Sequence, residues 1–340
     1  MNSVIYKKLQ MRIRVIKAGL LATVQDMGRT AGLPMAVPVS GVMDAYSARI
    51  ANYAVGNSGE DAVIEFTYGG PGLEAETDIL IAYAGGGACI EIDKRTLPPG
   101  KPLFIPAGSI MNLINKPGGC RTYLAVAGGW DVSDVLDSKS TCLVAGFGGF
   151  KGRALQPQDV LSAPGNLSAL AEKILNSLKG AVVNCPKWQI PGLVTSSSEH
   201  KVIRVIRGHE SGWFDERSVS RFFAEPYRLS LKSNRMGYHL EGPAMSRMNK
   251  QELLSTAVTS GTIQVTGNGG LVLLMADCQT TGGYPRIAQV AAVDMPLCGQ
   301  LQPGDELYFN EISWNEAERL YIEQEKHLQQ LSATIENKYL

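Results

Sequence analysis

Glycine punctuates this sequence more strongly than any other residue: 37 glycines, with 17 prolines, divide the apolar residues into short runs. Ile79–Ala84, Thr122–Ala127, Val202–Ile206 and Leu271–Met275 are representative, each giving way to glycine or a polar turn residue. Runs of that length are strand-sized, and dense turn chemistry between them favours many short strands over long helices. The expected fold class is mainly β, with a few helices.

Helical periodicity surfaces in three places: Tyr46–Val55, Leu167–Leu178, and Trp314 to about Ile335. The last opens on a capping box, Ser313 with Glu316, and carries Ala317, Leu320, Tyr321, Leu328 and Leu331 toward one face, as a packing helix does. A chain of 340 residues exceeds what one core usually supports. The stretch from Pro164 to His200, with its middle helix, Pro186, Pro191, Gly192 and a run of serines, reads as the boundary. The expected division is 12–165 for a first β domain, 166–200 for a linker with a helix, 201–312 for a second β domain, and 313–340 for the C-terminal helix. Two echoes point to a duplicated unit. Leu155–Asp159 (LQPQD) recurs as Leu301–Asp305 (LQPGD), and Gly108-Ser-Ile110 followed by Thr122–Gly129 parallels Gly261-Thr-Ile263 followed by Leu271–Gly283. Two similar barrel-like β domains are the favoured picture.

Charge excludes some classes. Lys plus Arg and Asp plus Glu both number 32, so no overall field draws nucleic acid or an anionic membrane. Hydrophobic residues at 44% against 19% charged indicate a folded chain rather than a disordered one. Six cysteines (89, 120, 142, 185, 278, 298) without a CxxC pair, and only four histidines, give no zinc pattern and no disulfide framework. The N-terminal residues hold Lys7, Lys8, Arg12, Arg14 and Lys17 but no apolar signal core, and no apolar run is long enough to span a bilayer. A cytoplasmic protein without metal, membrane or nucleic-acid partner is expected.

Four segments concentrate polar chemistry. Gln25-Asp26-Met-Gly28-Arg29 presents an amide, a carboxylate and a guanidinium beside a glycine free to take positive φ; Arg29 offers a fork for carboxylate or phosphate, and an internal Asp26–Arg29 pair is the structural alternative. Around the second segment, Asp44 stands where a helix would begin, either capping it or serving a site with Arg49, Asn52 and Asn57. Glu65 interrupts the strand-like run Ala62–Phe66, where burial demands a partner and an outward position does not. The third is Ser233-Asn234-Arg235-Met-Gly237, again amide, arginine and glycine. The fourth and densest is Ala276–Pro285, where Asp277, Gln279, Thr280 and Thr281 precede Gly282, Gly283 and Tyr284 at the end of an apolar strand. These loops are expected to converge on one cleft. There is no G-x-x-x-x-G-K-[ST], G-x-S-x-G or H-E-x-x-H, and Gly146–Gly152 (GFGGFKG) is glycine-rich without completing a phosphate motif.

Taken in order, Thr23–Arg29, Pro38–Asp44, Ala51-Asn52 with Val55–Asn57, Ser138–Thr141, Ser233–Gly237 and Thr280–Pro285 resemble the allophanate hydrolase subunit 2, or KipA, family, whose members include carboxyltransferase domains of urea carboxylases and the C subunit of 5-oxoprolinase. The resemblance implies a pair of cyclophilin-like β-barrels working with KipI-like and LamB/YcsF-like partner subunits. It also implies ATP-dependent opening of 5-oxoproline to glutamate. An unstrained lactam resists water until activated, so a pocket gripping phosphate and oxyanion is expected, with Arg29, Arg235 and the backbone near Gly282 suited to it. Asp26, Asp44 and Asp277 join those arginines as the implied catalytic set. Gln25, Asn52, Asn57, Glu65, Ser138, Ser140, Asn234, Gln279, Thr280, Thr281, Gly282, Gly283 and Tyr284 form the implied binding set. Two alternatives remain open: carboxyl transfer from biotin carried on another protein, and a non-enzymatic role in which the chain binds a KipI-like kinase inhibitor.

Overall fold

The computed structural model describes residues 10–190, 201–248 and 251–339, so part of the expected linker (191–200, with its serine run), Lys7 and Lys8 lie outside the described residues. The described chain is mainly β with five α-helices. None of those helices is long and apolar enough to cross a membrane.

The first half builds two sheets around one core. One has five strands in the order Leu21–Gln25, Val63–Thr67, Arg121–Val126, Ile79–Gly85, Leu103–Ile105; the other has six, in the order Val160–Ser162, Arg12–Lys17, Gly72–Ala75, Ile110–Asn115, Ala88–Ile92, Arg95–Thr96. Their burial patterns explain the stacking. Strands of the six-stranded sheet alternate buried with exposed residues, as Ile110–Asn115 does, because only one face is covered. Ile79–Gly85 and Arg121–Val126 are buried almost throughout, because helix α1 (Ala45–Ala54) packs on the sheet face turned away from the partner sheet.

The second half is a closed barrel of seven strands in the order Lys201–Arg207, Arg286–Val290, Thr262–Val265, Leu271–Leu274, Gly237–Glu241, Tyr227–Leu229, Glu306–Glu311, sealed by parallel pairing of the first with the last. Its core includes Ile203, Phe222, Leu273 and Phe309, and Met43 reaches into it from the first half. Helix α2 (Ala169–Leu178) belongs to the first half, and its apolar stripe Ala171, Ile174, Leu175 and Leu178 is buried. Helices α3 (Glu216–Ala224) and α4 (Met295–Gln300) belong to the second. Helix α5 (Trp314–Asn337) straddles both: Leu328 and Ile335 join the first core, while Ala317 and Leu320 pack against Ile206, Ala291 and Ile312.

The duplicated turn is real in three dimensions. Asp159 and Asp305 each accept from the N–H three residues earlier, Gln156 and Gln302, at 2.7 Å. Gln158 N donates to Val15 O and Val15 N to Asp159 O; Gly304 N donates to Leu229 O and Leu229 N to Asp305 O. The second echo diverges. Thr262–Val265 pairs directly with Leu271–Leu274, whereas Ile110–Asn115 and Arg121–Val126 lie in different sheets.

Candidate functional site

Three of the four polar segments meet at the joint between the halves, and there they form a closed ionic core rather than the expected open cleft. Arg235 is 5% exposed. Its Nε and Nη2 donate to the two Asp277 oxygens at 2.8 and 3.1 Å, its Nη2 also reaches Gly41 O at 2.6 Å, and its Nη1 donates to Glu65 Oε1 across the boundary. Burial alone would lower its pKa, but the Glu65 and Asp277 carboxylates outweigh burial and hold it above the ordinary value. Glu65 Oε2 accepts from Met43 N and Tyr123 Oη at 2.8 and 2.9 Å, so the stray carboxylate of the strand-like run is the first half's anchor for the second. Arg121 extends the joint, donating to Tyr238 Oη at 2.8 Å and to Gly299 O. Burial pushes the Tyr238 phenol up to about 12 despite that cation.

Asp44 caps α1, accepting from Ser47 N at 2.9 Å and Ser47 Oγ at 2.6 Å, and takes a third bond from Gln300 Nε2 at 2.7 Å. Full burial raises its pKa against the pull of those donors. A Cβ on Gly299 would fall 2.4 Å from Met43 O, so only glycine lets α4 approach this cap.

The first segment is turned inward. Asp26 Oδ1 accepts from Ser138 Oγ, Ser140 Oγ and Gly28 N at 2.7, 2.5 and 2.8 Å, and Lys139 N donates to Oδ2 at 2.5 Å. The implied serines 138 and 140 thus tether a loop to Asp26. Arg29 donates to Ser140 O and Val135 O and stacks on Phe147, with no bond to Asp26. Gln25 bridges Thr23, Thr141 O and Gly41 N. Asn52 and Asn57 bond each other at 3.1 Å and hold the backbone of Asp61, Val126 and Gly128. They do not join the other candidates.

The first and second segments reach solvent where Met27, Val42, Met43 and Arg49 line a cavity of about 370 Å³ at the joint, and the third and fourth open on the barrel wall. Asn234, Met236, Gly237, His239, Gln264, Val272, Leu274, Gln279 and Tyr284 line a groove of about 250 Å³ on the barrel wall, next to the Arg235–Asp277 pair. Asn234 Oδ1 accepts from Met236 N at 2.8 Å, a local turn that leaves its NH2 group available. Gln279 Nε2 donates to Gln264 Oε1 at 3.4 Å, and Gln264 Nε2 donates to Tyr284 O at 3.4 Å, so buried Gln264 orients exposed Gln279. A Cβ on Gly282 would meet Gln264 Nε2 at 2.6 Å; this glycine makes room for the amide. Thr281 and Gly282 pair with Thr256–Ala257 as a short ladder, and Thr280 O accepts from Val258 N. Gly283 is exposed beside them. The sequence places His239 just after the third segment without making it a site candidate, and it gives no sign of Gln264. Alternation along Gly237–Glu241 was the available signal for His239, while Gln264, in a buried strand, carried none.

The family described as carboxyltransferase domain, subdomain A and B, matches residues 35–311. The chain belongs to that family. It is 35% identical over 326 residues to the C subunit of Escherichia coli 5-oxoprolinase, covering 96% of this chain and 99% of that protein. It is 31% identical to the urea amidolyase of Saccharomyces cerevisiae over 95% of this chain, but spans only 18% of that enzyme. The crystal structure of the Kluyveromyces lactis urea carboxylase superposes with a TM-score of 0.82 at 29% identity, covering 97% of this chain and 30% of that one. The mainly β fold expected from the family resemblance is thus the fold observed, with a closed barrel in the second half and two sheets around one core in the first.

Proposed function

We propose that this chain is the C subunit of a cytoplasmic 5-oxoprolinase complex, opening 5-oxoproline to glutamate with ATP beside KipI-like and LamB/YcsF-like subunits, and that the barrel groove holds the lactam. The end-to-end similarity to a 5-oxoprolinase C subunit carries the reading. The groove's chemistry supports it. A lactam presents its N–H and C=O on the same side, and a carboxamide such as Gln279 or Asn234 offers the complementary acceptor and donor. His239, exposed on the groove wall, would pass a proton to the ring nitrogen as the C–N bond breaks. ATP, when bound in the complex, supplies the activation that makes the carbonyl open to water.

The test is reconstitution with the partner subunits, reading ATP-dependent glutamate formation from 5-oxoproline. His239→Ala is expected to lower turnover about 100-fold. Gln279→Ala should raise KM, and because both side chains are exposed, neither variant should shift stability by more than about 0.5 kcal/mol. A silent complex that instead carboxylates urea when supplied with carboxybiotin overturns the reading. The family's carboxyltransferase description and the urea amidolyase similarity favour that second function, and the ureido ring of biotin offers the groove the same pair of amide groups.

A further inference from the structure

Four of the eleven methionines gather at one cavity. Met27 and Met43 come from the first half, Met275 and Met295 from the second, and the cavity, about 370 Å³, lies where both halves meet α5. Tyr46 and Tyr321 add rings to its wall, and Tyr46 is backed by a stack on His327, 6.5 Å between centroids and 11° between planes. Thioethers fill gaps in a closed core, but these border a space of ligand size at a domain boundary, where small-molecule sites concentrate. Unbranched and polarizable, they adjust to an apolar body and make favourable contacts with aromatic rings.

The charge around this cavity is lopsided. Its charged lining residues are Arg49, Glu60 and Glu325. Arg49 donates from Nη1 to Glu325 Oε1 at 2.6 Å and from Nη2 to Tyr53 Oη at 3.1 Å, and its Nε, though without a partner, is sealed from solvent. Its positive charge is thereby matched by Glu325, in an ion pair that ties α1 to α5. Glu60 is exposed and forms no ion pair among the described residues, so one carboxylate is left over. An anionic ligand would meet that carboxylate and a guanidinium already engaged. A cationic one would meet an unmatched carboxylate, two phenol rings and a set of polarizable sulfurs.

We infer that this cavity binds a small hydrophobic ammonium compound, its apolar body among the thioethers and rings and its cationic end at Glu60. The site is separate from the barrel groove and does not depend on lactam chemistry. Its position gives an occupant a hold on the joint. Met43 N donates to Glu65, and Met275 lies two residues before Asp277; these are the two carboxylates that grip Arg235. A molecule resting on Met43, Met275 and Tyr321 therefore bridges both halves and the helix that straddles them.

Full-length protein labelled at the methionine methyl carbons is titrated with 2-phenylethylammonium and, separately, with phenylacetate, a similar body of opposite charge. Saturable shifts are expected at Met27, Met43, Met275 and Met295, with the ammonium binding about tenfold tighter. Met111 and Met245, outside the lining, should stay still, while Met236 reports on the barrel groove. Glu60→Gln should weaken ammonium binding about threefold. Tyr321→Ala should weaken it about fivefold. Both side chains are exposed, so both variants should keep the fold. The inference is overturned if the lining methyls show no saturable shift at about 10 mM ammonium, or if Met236 moves in their place. It falls equally if phenylacetate binds as tightly, or if affinity for the ammonium is indifferent to Glu60→Gln.

Discussion

Arg29 and Arg235 sit in similar short segments, amide, arginine and glycine within a few residues, and both guanidiniums are buried. Their surroundings differ in kind. Arg235 lies between two carboxylates from opposite halves of the molecule, and its charge is held above its ordinary pKa. Arg29 has two carbonyls, an aromatic ring and an unfilled nitrogen, and burial, the largest influence on it, lowers its pKa while Cys142, Asp26 and Asp277 pull weakly the other way. Arg235 is held by opposite charge, whereas Arg29 is held by neutral carbonyls and a ring. The same short pattern sits in two different electrostatic surroundings, and burial alone does not tell them apart.

Breaking the first arginine should do the most damage. Arg235→Met leaves Asp277 buried without its cation and Glu65 with Arg121 alone, 3.7 Å away, which costs about 3–5 kcal/mol. Urea denaturation should show that loss, and Asp277→Asn added to Arg235→Met should recover part of it, because the orphaned charge is then gone. If Arg235→Met is as stable as the parent and only activity falls, the joint is a site rather than a lock. Arg29→Met removes neutral carbonyl partners instead, so its cost should be smaller, about 1.5–3 kcal/mol. Equal losses in the two variants would erase the distinction drawn between them.

The mainly β class was legible because glycine-bounded apolar runs report strand length directly: Ile79–Gly85, Arg121–Val126, Lys201–Arg207 and Leu271–Leu274 lie within a residue of their expected bounds. Ser313 capped α5 as its capping box promised. Helices α3 and α4 escaped notice. Glu216–Ala224 does carry a readable stripe, Val219, Phe222 and Phe223 opposite Arg217 and Arg221, but only over nine residues, and Met295–Gln300 is too short to show any. Within the site, residue type was legible and orientation was not. Glu65 announced burial by its apolar neighbours, but nothing local could say that its partner lies 170 positions away in Arg235. Likewise Thr280, Thr281 and Gly282 look like an anion loop in sequence, yet strand pairing claims much of their backbone.

Carboxylates repeat the lesson of the arginines, with opposite responses to pH. Asp159 is bonded by Arg153 at 2.6 and 2.8 Å, and that pairing holds its carboxyl below the ordinary range despite partial burial. Its contribution is therefore present above the ordinary carboxylate pKa and lost as pH falls through the depressed folded value. With Arg153 about a third exposed, Asp159→Asn should cost about 0.5–1 kcal/mol at neutral pH. That gap should close on acidification. Asp44 lacks a cation, and burial raises its pKa, so its contribution is complete in acid and lost as pH rises through the folded value. The stability difference between parent and Asp44→Asn should accordingly shrink with rising pH. Denaturation curves across the acid range that move both gaps in the same direction would show that partner charge is not what separates them.

The duplicated turns allow the finest comparison, since their hydrogen bonds match while one residue differs. Position 158 is glutamine at φ 75° and position 304 is glycine at φ 93°. The nearest atoms to a Cβ on Gly304 belong to Arg228, at 3.7 Å and beyond, so Gly304→Ala introduces backbone strain without a clash and should cost about 1 kcal/mol. The reciprocal change, Gln158→Gly, relieves similar strain but adds freedom to the unfolded chain, which offsets most of the gain. Its net effect should be within about 0.5 kcal/mol of zero. If Gln158→Gly instead stabilises the protein by the full amount that Gly304→Ala destabilises it, the unfolded state contributes nothing at this turn. The asymmetry between the two halves would then lie entirely in the folded backbone.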